Sequence, residues 1–85
     1  MEDNIKFHPS AFKHGVNRAD ILHALDNSRY EGPLEDGNDD KFIALGFDCA
    51  GNLIEIVYNY VDDDTRYVFH AMSCRSIYYP LLKFY

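Results

Sequence analysis

The sequence predicts a small α+β protein with two N-terminal helices, an antiparallel meander sheet of three to four strands and a short C-terminal helix. Two observations carry this prediction. Residues 8–25 contain helix-capping signals and an apolar stripe, whereas residues 41–72 contain three runs rich in β-branched and aromatic residues, separated by turn residues. The chain has 85 residues, of which 47% are hydrophobic. That is enough for one core, so residues 1–85 are expected to form a single domain.

The two N-terminal helices are predicted from their ends. The first lies in HPSAFKHG, where Pro9 suits a first helical turn and Gly15 suits a left-handed C-terminal residue. The second follows Asn17, a good N-cap with Asp20 three residues further on, in a weak form of the capping box. Its predicted buried stripe consists of Ile21, Leu22, Ala24 and Leu25.

Four segments are predicted as strands. A short one covers residues 29–31, and longer ones are expected in KFIALGFD, LIEIVYNYV and TRYVFHAM. The turn residues CAGN should join the first two long strands into a hairpin, and Pro80 should limit a final helix in SCRSIYYPLL. The residues expected in the core are Ile21, Leu25, Ile43, Leu45, Ile54, Ile56 and Val68.

The charge distribution leaves two interpretations open. The net charge of −6 argues against non-specific nucleic-acid binding. However, eight of the 14 acidic residues fall in the turn-like segments 31–40 and 62–64, so the rest of the chain carries a slight basic excess. Acidic segments of this kind are typical of solvated turns, and the alternative is a docking surface for a basic partner.

Cellular location is predicted from what the sequence lacks. No apolar run approaches the roughly 20 residues that a membrane-spanning helix needs, and the N-terminus MEDNIKFH is unlike a signal peptide. The two cysteines, Cys49 and Cys74, lie far apart without a CxxC motif, which suits a reducing compartment. We therefore expect a cytoplasmic protein with no membrane association.

Neither a metal nor a cofactor is expected. The four histidines show no paired i, i+4 spacing and no Cys/His pattern typical of zinc sites. The five glycines form no phosphate-binding motif, and no GxSxG nucleophile motif is present.

The stretch VFHAMSCRSIYYPLL, residues 68–82, is the candidate active site. Metal-free ribonucleases orient the ribose 2′-hydroxyl, neutralise the phosphate and move protons with His, Tyr, Arg or Lys. Strand alternation predicts His70 and Met72 on one face of the sheet, with Phe69 and Ala71 on the other. Helical spacing predicts that Arg75 lies beside both Tyr78 and Tyr79. The alternative interpretation is that these side chains only seal the junction between helix and sheet.

Three segments together resemble a known family. FKHGVNRADILHAL, IALGFDCAGNLIEIVYNY and YVFHAMSCR are similar to the BrnT-like toxins of bacterial toxin–antitoxin systems, and most similar to the small relatives with the pattern HGI…HAM…R…Y. The similarity covers residues 7–79. It implies a RelE-like ribonuclease fold, inhibition of translation, and neutralisation by a ribbon-helix-helix antitoxin.

The first functional hypothesis is therefore a toxin that cleaves RNA, a possible endoribonuclease with RNA and the antitoxin as partners. His70 is the expected acid or base, Arg75 and Lys41 bind phosphate, and Tyr78 positions or stacks on a base. Further RNA-binding residues are expected to be His14, Arg18 and Tyr79. A homodimer is left open.

The second hypothesis is a non-catalytic protein-binding module that keeps the toxin-like fold. It is motivated by the acidic balance and by two departures from the family pattern. Met72 stands where the family has an arginine, and Asn59 follows Val57 and Tyr58 where an arginine is common. Those cations would supply phosphate neutralisation. Without them, the chain would bind a basic protein rather than RNA.

Overall fold

The computed structural model describes residues 4–35 and 40–82. The strands are β1 (Asn4–Phe7), β2 (Tyr30–Pro33), β3 (Phe42–Phe47), β4 (Leu53–Tyr60) and β5 (Thr65–Ser73). The single α-helix in this part of the chain is α1 (Arg18–Asp26), and two 3-10 helices are named η1 (Pro9–Phe12) and η2 (Ser76–Leu82). No helix within the described ranges is long and apolar enough to cross a membrane.

The predicted fold is wrong in three respects. The sheet has five strands in the order β1-β5-β4-β3-β2, not three to four. It is not a pure meander, because β1 pairs with β5 in parallel. The first predicted helix is only the four-residue η1, and the C-terminal helix is the 3-10 helix η2. Pro80 lies inside η2, where its missing N–H and fixed φ oppose a regular α-helix.

The two faces of the sheet are covered by different elements. On one face, Ala44, Ile56 and Val68 pack with Ile21 and Leu25 of α1. On the other face, a smaller cluster is covered by η2 and by Leu34, the residue directly after β2. That cluster contains Ile43, Leu45, Val57 and Cys74, with Phe69, Tyr78, Leu81 and Leu82 packed against it. All seven residues predicted for the core are buried, which confirms that part of the sequence prediction.

The capping of α1 is confirmed. The Asn17 side chain accepts a hydrogen bond from the Asp20 backbone N–H at 2.8 Å. Asp20 does not complete a capping box; its carboxylate accepts the backbone N–H of Cys49 at 3.0 Å and so ties the helix to the β3–β4 turn. Leu22, assigned to the buried stripe, is exposed. The stripe is therefore narrower than predicted.

Gly15 has the positive φ that the sequence predicted, at 86°. A Cβ at this position would meet no atom within 4 Å, so only backbone strain opposes a side chain. We expect Gly15→Ala to lower the free energy of unfolding by about 1 kcal/mol, because the left-handed region penalises a Cβ. Urea melts measure this change. Unaltered stability would show that the turn relaxes to an ordinary conformation.

A β-bulge in β5 changes which side chains share a face. Val57 is opposite His70, whereas the next residue, Tyr58, is opposite Val68, so Phe69 is the extra residue. Phe69 packs with the Val57 cluster, on the face to which His70 also belongs. The prediction that Phe69 and His70 lie on opposite faces is therefore wrong, because strict alternation fails at a bulge.

Candidate functional site

The candidate site is centred on Glu55, whose side chain is completely buried in β4. β4 is the middle strand of the sheet, so its side chains are enclosed by neighbours on both sides. Alternation places Ile54 and Ile56 in the core beneath α1 and turns Glu55 to the opposite face. A buried carboxylate requires partners, because burying an unpaired charge is costly.

Arg75 and His70 supply those partners. Arg75 Nη2 lies 2.6 Å from Glu55 Oε2, and Arg75 Nε donates to both carboxylate oxygens at 3.1 and 3.2 Å. The backbone N–H of Arg75 donates to Oε1 at 2.9 Å, and His70 Nε2 donates to Oε2 at 2.9 Å. Residues Glu55, His70 and Arg75, together with His14 and Tyr78, are called the Glu55 cluster below.

These contacts determine the ionisation of Glu55. Burial alone would raise the pKa of the carboxyl, but the hydrogen bonds from the Arg75 side chain and backbone and from His70 outweigh it, so the pKa of Glu55 is lowered. The bond to Glu55 likewise raises the pKa of the Arg75 guanidinium. Both groups are charged at neutral pH, and the site holds an ion pair.

The end of β5 positions Arg75. The Cys74 N–H donates to the Leu53 carbonyl at 3.0 Å, which extends the β4–β5 ladder to this point. The Tyr78 N–H then donates to the Arg75 carbonyl at 3.0 Å as η2 begins, and the Arg75 guanidinium lies 5.6 Å from the centre of the Tyr78 ring. The proximity of Arg75 and Tyr78 follows from this sharp change from strand to 3-10 helix.

A second histidine completes the cluster. The His14 and His70 rings lie 5.5 Å apart between centroids, at an interplanar angle of 74°. His14 is exposed in the turn after η1, and 22% of the His70 side chain is exposed. One imidazole is thus oriented by a buried carboxylate, while the other is accessible beside it. Paired proton-transfer groups of this kind can act as a base and an acid on one bond.

The structure separates the other residues proposed to bind RNA. Lys41 Nζ lies 5.8 Å from the centre of the ring of Phe69, which precedes His70 in the chain. Arg18 lies over Phe7 of β1 at 5.0 Å, and Tyr79 is exposed on η2. Neither Arg18 nor Tyr79 forms an ion pair, hydrogen bond or ring contact with the Glu55 cluster.

A second polar network lies at the other end of β4. The Tyr58 hydroxyl donates to Glu31, and Arg66 Nη2 lies 3.2 Å from the same carboxylate while its guanidinium stands 5.2 Å from the Tyr58 ring centre. Burial and the Glu31 bond raise the pKa of Tyr58. Glu31 is therefore a structural partner of β4 and β5, and the interpretation of this acid as part of a solvated turn is wrong.

In the part of the chain that the structure describes, no group of three or more His, Cys, Asp or Glu side chains is arranged so that it could hold a metal ion. The Glu55 cluster itself places groups capable of acid–base chemistry, the imidazoles of His14 and His70, next to the positive charge of Arg75.

No protein-family model matches the chain, and a search of the curated proteins finds no significant match.

Proposed function

We propose that this chain is a metal-independent endoribonuclease and the toxin component of a type II toxin–antitoxin system, acting on RNA in the cytoplasm. The observation that carries this proposal is the pair of imidazoles, His14 and His70, with His70 held by the buried Glu55. A fixed imidazole beside an accessible one suits a reaction in which one proton is removed and another is delivered.

The proposed reaction is attack of a ribose 2′-hydroxyl on the adjacent phosphate. A neutral imidazole removes the 2′-proton while O2′ forms a bond to phosphorus. The bond from phosphorus to O5′ breaks, and a protonated imidazole gives its proton to the departing O5′. The products are a 2′,3′-cyclic phosphate and a 5′-hydroxyl. We assign these two proton transfers to His70 and His14.

Arg75 has two tasks in this proposal. Its Nε and Nη2 atoms hold Glu55, which in turn orients His70. About half of its side chain, 49%, remains exposed, so the guanidinium also presents positive charge beside the imidazoles. That charge stabilises the phosphate as negative charge accumulates in the transition state. Tyr78 lies under the guanidinium, whose central carbon is 5.6 Å from the centre of the ring.

The toxin assignment draws on the sequence. The patterns FKHGVNRADILHAL and YVFHAMSCR resemble those of the BrnT-like toxins, and both contribute a histidine to the Glu55 cluster. From that resemblance we propose a ribbon-helix-helix antitoxin as the protein partner. Expression without the antitoxin is expected to arrest bacterial growth.

The test of this proposal removes one imidazole. We expect His70→Ala to lower the rate of RNA cleavage by roughly 100-fold or more, because general acid–base catalysis contributes about 10²–10⁴-fold. The matched control is His23→Ala, which removes an exposed histidine from α1. Circular dichroism checks folding of each variant. Equal cleavage and equal growth arrest by wild type and His70→Ala would contradict the proposal.

One observation favours the second candidate, a non-catalytic module that binds a basic protein. The Arg75 charge is already paired with Glu55 inside the protein, which reduces the positive charge available to a phosphate. This function predicts co-purification with a small basic protein and no RNA cleavage by the purified chain. Recovery of a lone, RNA-cleaving monomer from native cells would eliminate it.

A further inference from the structure

The two nitrogens of the His70 ring have different surroundings. Nε2 lies 2.9 Å from Oε2 of Glu55, whose side chain is completely buried. Across residues 4–35 and 40–82, no backbone or side-chain group forms a hydrogen bond with Nδ1. The nitrogen beside the buried carboxylate is therefore paired, whereas Nδ1 keeps its hydrogen-bonding capacity for another group.

The Glu55 carboxylate determines which of these nitrogens carries the proton. A neutral imidazole has one N–H donor and one acceptor nitrogen. Although burial opposes ionisation, the hydrogen bonds from Arg75 and His70 lower the pKa of Glu55, so its carboxylate is ionised at neutral pH and can only accept. The proton of neutral His70 must therefore reside on Nε2, and Nδ1 carries the free lone pair.

Arg75 keeps the carboxylate directed at His70. Its Nε and Nη2 atoms donate to Glu55 Oε2 at 3.2 and 2.6 Å, and its backbone N–H donates to Oε1 at 2.9 Å. Because both carboxylate oxygens are held, Glu55 cannot rotate away from the His70 ring without breaking these bonds. The arrangement that selects the tautomer of His70 thus exists before a substrate binds.

We propose that Glu55 is a positioning residue that fixes His70 with its proton on Nε2 and leaves Nδ1 to accept a proton from the substrate. This inference rests on the proposed ribonuclease function and divides its two proton transfers between the histidines. His70 Nδ1 takes the 2′-proton, because the charge of Glu55 stabilises the imidazolium that forms. His14, whose ring centre lies 5.5 Å from that of His70, protonates O5′ as its bond to phosphorus breaks. Exchange with water returns both rings to their starting forms.

The tautomer of His70 can be measured by ¹⁵N NMR of the imidazole nitrogens, without RNA. We expect the wild-type protein, at about pH 9 where histidine side chains are ordinarily neutral, to show His70 protonated on Nε2 and unprotonated on Nδ1. The signals of His70 are identified by their loss in His70→Ala. A merely structural contact between His70 and another group would not select this tautomer.

Glu55→Gln is expected to reverse the tautomer. The amide oxygen of the variant is needed by the N–H groups of Arg75, so the amide NH₂ donates to His70 Nε2 and the ring proton moves to Nδ1. RNA cleavage should then fall by about 100-fold or more, because Nδ1 can no longer accept the 2′-proton. The matched control is Glu31→Gln, which removes a carboxylate bound to Tyr58 and 3.2 Å from Arg66 Nη2. It should leave the His70 tautomer and the cleavage rate unchanged.

The outcomes separate this inference from the ribonuclease proposal. Protonation on Nε2 in wild type, reversed in Glu55→Gln and retained in Glu31→Gln, supports it even if the chain cleaves no RNA and the ribonuclease proposal fails. A wild-type His70 ring protonated on Nδ1, or an equal mixture of both forms, overturns it even if His70-dependent cleavage is observed. Wild-type cleavage by Glu55→Gln overturns it as well. Circular dichroism checks folding, and the wild-type spectrum decides the tautomer if Glu55→Gln does not fold.

Discussion

Arg75→Ala is expected to lower the free energy of unfolding by about 3 kcal/mol at pH 7, because it leaves the buried Glu55 carboxylate without its main counter-charge. Glu55 is fully buried, and Arg75 supplies most of its hydrogen bonds. The expected loss is at the low end of the range for broken buried pairs, since the backbone N–H of residue 75 and His70 still reach the carboxylate.

The loss of unfolding free energy caused by Arg75→Ala should be smaller at acidic pH than at pH 7. The pKa of folded Glu55 lies below its ordinary value of 4.5, so the ion pair stabilises the wild-type protein above that pH and the contribution disappears as pH falls through the folded pKa. Without Arg75, burial raises the pKa of Glu55, and protonation at acidic pH relieves the uncompensated charge. The stability difference between wild type and variant should therefore narrow as the pH falls from 7 towards about 4.

Urea melts at several pH values measure this difference. The control is Arg29→Ala, which removes an exposed arginine over Phe47 and no buried ion pair. Its effect should be small and independent of pH. A loss for Arg75→Ala no larger than that of the control would show that Glu55 is not an enclosed, ionised carboxylate.

Gly46→Ala is expected to cost about 3 kcal/mol or more, at or above the upper end of typical overpacking effects. A Cβ on Gly46 would lie 2.4 Å from the backbone oxygen of Ala24 and 3.0 Å from its carbonyl carbon. Those atoms belong to the α1 backbone, which cannot move aside as a flexible side chain does. The variant must therefore displace α1 from β3 and open the core around Ile21 and Leu25.

Gly51→Ala is the matched control for Gly46→Ala. Gly51 has a φ of 86° and no atom within 4 Å of a Cβ, so its substitution costs backbone strain without a collision. We expect a loss of about 1 kcal/mol for this control in denaturant melts. If Gly46→Ala were no more destabilising than Gly51→Ala, this result would contradict the close contact between α1 and β3.

Local signals explain what could be predicted from the sequence. The Asn17 cap, the left-handed Gly15 and the hairpin of β3 and β4 depend on residues close together in the chain, and all three are present in the structure. The core residues were recognisable because apolar side chains recur at helical and strand spacing. The proximity of Arg75 to Tyr78 was predicted from an i, i+3 spacing in a helix, and it is present in the structure although Arg75 precedes the 3-10 helix η2.

Features that depend on pairing between residues far apart in the chain could not be predicted from the sequence. β1 has four residues and pairs with β5 more than fifty residues later, so no local pattern marks it as a strand. The bulge at Phe69 depends on how β4 and β5 pair, not on a residue preference.

The burial of Glu55 could not be predicted from the sequence for the same reason. In LIEIVYNYV, a glutamate between isoleucines resembles the exposed position of a half-buried strand. Its burial depends on β5 beside it and on Arg75 after β5, which only the folded chain brings together. The indirect signal in the sequence was the occurrence of His70 and Arg75 near the end of the third long strand, since both side chains can donate hydrogen bonds to a carboxylate.

The central claim is that the Glu55 cluster cleaves RNA without a metal, and analysis of product ends tests it most directly. Purified wild-type protein, treated with EDTA, is incubated with a single-stranded RNA oligonucleotide and with its 2′-O-methyl counterpart. We expect cleavage of the RNA alone, products ending in a 2′,3′-cyclic phosphate, and loss of this activity in His70→Ala. Intact RNA after incubation with folded wild-type protein, or the same products from His70→Ala, would contradict the claim.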